Sequence, residues 1–138
     1  MGASEYMNIG KGRTAQEAFD RLVTSAQWEH GHGGYSGTIA EKQSFVEFAR
    51  PKGMRRDKVI TAVHALGGHA LPDAMRPSVN FGRSADYQQA IAEVYDGNGG
   101  YPSLPIRQMF AVYDDKWGPA LAIQLREGEY LFAGFASS

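Results

Sequence analysis

The sequence predicts an α+β fold: an antiparallel sheet of about five strands, ending in a C-terminal meander, with two or three helices on one face. Three observations predict it. An amphipathic helical pattern with an N-terminal capping signature stands early in the chain. Short runs of strand type, separated by turn residues, fill the last third. The 138 residues, 43% hydrophobic and 21% charged, suit one domain (residues 1–138) with an ordinary core.

The first helix is announced by Thr14 and Glu17, a T-x-x-E capping box. Ala15, Ala18, Phe19, Leu22, Val23 and Ala26 follow at the three-four spacing of one helical face. The spacing predicts a helix over 15–29 that stops at Gly31. Two short strands are expected next, over 38–41 and 44–49, with Pro51 ending the second. Val59, Ile60, Val63 and Leu66 predict a second helix over 57–66, stopped by Gly67 and Gly68. A histidine at position 64, beside Val63, reads as a buried core group. A third helix is expected from the N-cap Ser84 through Tyr95. The meander is predicted as strands over 106–113, 119–125 and 130–135, joined by turns at 114–118 and 126–129. Trp117 then sits on an exposed turn. Met7 reads as a candidate start, which would make residues 1–6 an added leader.

Composition removes whole classes of function. With no cysteine, disulfides, thiol catalysis, iron–sulfur clusters and Cys-based zinc sites are all absent. The net charge of −1 argues against general binding of duplex DNA. No apolar run is long enough to span a membrane. With no export signal, the cytoplasm is the expected location.

The segment after the first helix carries the chemistry. Gly31, Gly33, Gly34 and Gly37 bare the backbone amides, as in phosphate-cradling loops. The loop nevertheless leaves a helix C-terminus, the wrong polarity for a Walker-type phosphate loop, and lacks G-K-[ST]. His30 and His32 stand one residue apart, with Glu29, Glu41, His64 and His69 as conceivable further ligands, but this spacing does not define a metal site. Neither a metal nor a cofactor is expected. Tyr35 offers a ring for stacking on a base, and Thr38 a hydroxyl.

Two further stretches suit an anion. Arg50, Lys52, Arg55, Arg56 and Lys58 lead into the second helix, where guanidinium forks and helix amides together suit a phosphate. Phe81 and Arg83 precede the third helix and offer stacking and charge.

The segment Gly34-Tyr35-Ser36-Gly37-Thr38-Ile39-Ala40, preceded by Glu29-His30-Gly31-His32, resembles one found in a loosely defined group of small phage, archaeal and bacterial proteins. In that group a helix is followed by G-Y-x-G-T-I-A or P-Y-N-G-T-I. The resemblance covers about a fifth of the chain, from position 15 to position 41. It implies a phage-type accessory protein of the host cytoplasm, of the kind that counters host defence by sequestering a nucleotide signal.

These observations converge on a binding protein. It would hold a nucleotide or cyclic oligonucleotide without turnover, through His30, His32, Gly33, Gly34, Tyr35, Thr38, Arg55, Arg56, Phe81 and Arg83. A homo-oligomer is expected, because one small domain offers limited concave surface. The alternatives are a phosphodiesterase or other hydrolase using His30 and His32, and an interaction module that inhibits a host enzyme through anchors such as Trp117. Single-stranded nucleic-acid binding is weakened by the charge.

Overall fold

A computed structural model describes residues 2–31, 33–50, 53, 55–66 and 106–138. The elements are β1 (Ala3–Lys11), α1 (Ala15–His30), a 3-10 turn (Ile39–Glu41), β2 (Phe45–Phe48), α2 (Arg56–Leu66), α3 (Ile106–Asp114), β3 (Ala120–Arg126) and β4 (Glu129–Ser137). The described strands form one four-stranded sheet in the order β1-β4-β3-β2. β4 runs antiparallel to β1 and β3, whereas β2 runs parallel to β3. The fold is α+β, as expected, but the sheet is mixed rather than antiparallel, and four strands are described rather than about five.

The sheet is mixed because of how the chain crosses it. From β1 at one edge, α1 carries the chain to β2 at the other. The return to β3 passes through α2 and α3. Right-handed crossovers that run in opposite lateral directions fall on opposite faces. Accordingly the helices cover both faces, not one.

On the first face Ala15, Ala18 and Phe19 of α1 pack with Ala120, Ala122, Phe132 and Ala136. The alanines of β3 leave room for an aromatic cluster. The Phe19 ring lies 5.2 Å from Phe45 and 5.6 Å from Phe132, and Phe45 meets Phe132 edge-on at 5.7 Å. On the second face Val59, Ala62, Val63 and Leu66 of α2, with Met109 and Tyr113 of α3, cover Leu121, Ile123 and Leu131. Phe45 and Phe48, three apart in β2, pack one on each face, which accounts for their broken alternation.

Two expectations are corrected. Residues 106–113 form a helix, not a strand. Ile106, Met109, Phe110 and Tyr113 follow helical spacing, and that period outweighs the strand preference of the individual side chains. Residues 38–41 form a single 3-10 turn, because Thr38 Oγ1 caps it by accepting from the Ala40 amide at 3.2 Å. Ala3–Lys11 form β1, a nine-residue strand paired along its length with β4. The helix expected at 84–95 lies outside the described residues.

Candidate functional site

The glycine-rich loop is organised by one carboxylate. Glu41 Oε1 accepts from the Tyr35 amide at 2.9 Å. Its Oε2 accepts from the Ser36 amide at 3.1 Å and from Ser36 Oγ at 2.7 Å. Gly34 and Tyr35 both take positive φ, at 79° and 56°, which turns these successive amides toward one point. The amides read from the sequence as an anion cradle therefore hold an anion of the chain itself. Partial burial works to raise the Glu41 pKa. Hydrogen bonds from Ser36, Tyr35 and Ser137 outweigh it and hold the carboxyl below its ordinary value.

The next residue does the converse. Lys42 is buried, and its Nζ donates to the carbonyls of Asp115 and Gly118 at 3.0 Å each and of Lys116 at 3.4 Å. Burial lowers its pKa, and the nearby Asp115 charge works against that. Asp115 tightens the same turn, since its Oδ1 accepts from the Trp117 amide at 3.0 Å. Glu41 thus pins the glycine loop, and Lys42 pins the turn that carries Trp117.

The two pinned segments face each other across a cavity of about 490 Å³. Tyr35 and Trp117 lie on its walls, edge to face, with ring centroids 6.4 Å apart. Both rings are well exposed, at 52% and 63%. Lys116 Nζ stands 5.1 Å from the Trp117 ring centroid. Tyr35 is the one non-glycine with positive φ among the described residues. Such a conformation costs about 1 kcal/mol, and such outliers cluster at ligand sites.

The sequence-predicted residues are divided between two ends of the sheet. Gly34 and Tyr35 line the cavity, and Thr38 supports it through a 2.8 Å contact between its hydroxyl and that of Ser36. Gly33 is exposed nearby. His30 ends α1, exposed, with Nε2 3.7 Å from Glu29. Arg55 and Arg56 begin α2 at the opposite end. There Arg56 Nε donates to Glu129 Oε1 at 2.6 Å, and the Arg126 guanidinium lies 3.3 Å from the same oxygen. Glu129 opens β4 and Ser137, beside the cavity, closes it, so the length of that strand, about 27 Å, separates the two groups. The structure does not bring them together within one chain. His32, Phe81 and Arg83 lie outside the described residues.

His64 is exposed rather than buried and lines a smaller cavity with Glu5, Met7 and Tyr113. Among the described residues no group of three or more His, Asp or Glu is placed to hold a metal. Likewise no helix among them is long and apolar enough to cross a membrane. Sequence reasoning missed Lys42 and Lys116, and it read Glu41 only as a conceivable metal ligand. The opposite charges of Glu41-Lys42, directly after a glycine loop, were the available signal.

Comparison with protein-family profiles, with curated proteins and with solved structures finds no match.

Proposed function

We propose that the protein is a binding module that holds a nucleotide-class ligand in the Tyr35–Trp117 cavity without turning it over. The observation that carries this reading is the pair of exposed, mutually oriented rings beside a lysine. An aromatic ring can stack or pack edge-on there while Lys116 meets a phosphate. The cavity volume suits a mononucleotide or one half of a cyclic dinucleotide. In the phage setting suggested by Gly34–Ala40, such a module would sequester a signal in the host cytoplasm.

Titration calorimetry and tryptophan fluorescence with a panel of nucleoside monophosphates and cyclic dinucleotides test it. Saturable binding with ligand recovered unchanged supports the reading. A folded protein that binds no member of the panel overturns it, and release of product overturns the absence of turnover.

A second reading, inhibition of a host enzyme by direct contact, is favoured by Trp28, which is 91% exposed in the last turns of α1. A pull-down that retains one host enzyme, unaffected by nucleotide and abolished by Trp28→Ala, would support it over the first.

A further inference from the structure

The donors that meet on Glu41 form a nest, a concavity of backbone N–H groups that accepts an anion. They are the amides of Tyr35 and Ser36 and the hydroxyls of Ser36 and Ser137. The occupant is a side chain of the same protein, and it is only half-buried. Contacts that do not involve the carboxylate hold the donors in place. The Gly37 amide donates to the Ser137 carbonyl at 2.8 Å, which ties the loop to β4. The Ser36 and Thr38 hydroxyls meet at 2.8 Å, and Ser137 itself is buried. The backbone beneath Glu41 is fixed separately. Its amide donates to the Thr38 carbonyl at 3.0 Å, and the Lys42 amide to the Ile39 carbonyl at 2.9 Å. Glu41 also lines a second cavity, of about 510 Å³, with Gln27, Gly31, Ala40 and Gln43. Rotation about its side-chain bonds carries the carboxylate out of the nest toward that space, with both backbone bonds of the 3-10 turn intact.

Charge decides what takes its place. Among the described residues, Glu41 and Lys116 are the charged side chains that line the Tyr35–Trp117 cavity. With Glu41 in the nest the two balance. With Glu41 out, the cavity presents an ammonium, two amides and two hydroxyls, a donor set suited to the oxygens of a phosphate group. Building on the reading of this cavity as the site of a phosphorylated ligand, we propose that the Tyr35–Ser36 nest is its phosphate subsite and that Glu41 is an internal competitor, displaced when the phosphate binds.

Inorganic phosphate and adenosine monophosphate, titrated into the intact chain, into Glu41→Ala and into Glu41→Gln, test this. The readout is the amide resonances of Tyr35 and Ser36, and a thermal melt establishes that each variant is folded. In the wild-type chain phosphate should itself move both resonances, a result that needs no variant. Apparent affinity is the intrinsic affinity scaled by the fraction of chains whose nest is open, so a nest open less than about a tenth of the time predicts that Glu41→Ala binds phosphate about tenfold tighter or more. Glu41→Gln, which loses the charge but keeps one acceptor, should gain less. A carboxylate that merely holds the loop predicts the opposite sign, since the donors would scatter without it. Phosphate that leaves the Tyr35 and Ser36 resonances unmoved overturns the proposal. So does affinity that is unchanged or weaker in the folded variants. Phosphate bound in the nest, with adenosine monophosphate binding no tighter, would keep the subsite and remove the nucleotide reading. Adenosine monophosphate bound equally by wild type and both variants would keep the nucleotide reading and remove the displacement.

Discussion

Replacing Glu41 by Gln tests the internal latch. The carboxylate accepts hydrogen bonds from the Tyr35 amide, the Ser36 amide and Ser36 Oγ. Gln keeps one oxygen and turns an NH₂ group toward the remaining donors. Two charge-assisted bonds are lost, each worth about 1.5–3 kcal/mol where fully buried. Glu41 is only half-buried, and solvent screening reduces the loss to about 1–2 kcal/mol in total. For a chain of this size that is a fall in Tm of roughly 3–8 °C. The pH dependence makes the test specific. The Glu41 pKa lies below its ordinary value of 4.5, so the stabilisation is complete above that value. It is lost as pH falls through the depressed folded pKa, where protonated Glu41 resembles Gln. Differential scanning fluorimetry of both proteins should therefore show a constant gap from neutrality down to about pH 5, closing in stronger acid. Glu129, also depressed by its bond from Arg56, titrates in both proteins and cancels. A gap that is absent at neutrality, or equally wide in acid, would refute the latch.

Trp117→Ala should weaken nucleotide binding by at least tenfold while moving Tm little, since the ring is 63% exposed; calorimetry and a thermal melt separate the two. Gly134→Ala should destabilise by about 1–3 kcal/mol in urea, because φ is 152° and the added methyl would sit 3.4 Å from both Tyr6 Oη and the Tyr113 carbonyl oxygen. Phe19→Ala should cost about 3–5 kcal/mol in the same assay, because it empties the centre of the Phe45–Phe132 cluster.

What was legible in the sequence depended on whether the signal was local. α1 was read almost to the residue, because Thr14 Oγ1 does accept from the Glu17 amide, at 3.1 Å, and the Gly31 amide closes the other end on Gln27. The β3–β4 hairpin was equally plain, with its turn at Glu127-Gly128 and φ of 77° at the glycine. β1 was not, since an edge strand with polar positions carries a weak pattern and acquires meaning only when β4 pairs with it. Lys42 was illegible for the same reason. Its three carbonyl acceptors come from more than seventy residues away, and no spacing in the chain announces them.

The separation of the glycine loop from the arginines is itself a consequence of topology. The two segments are close in sequence, yet β2 lies between them and carries the chain from one end of the sheet to the other. No loop movement short of unfolding that strand joins them in one chain.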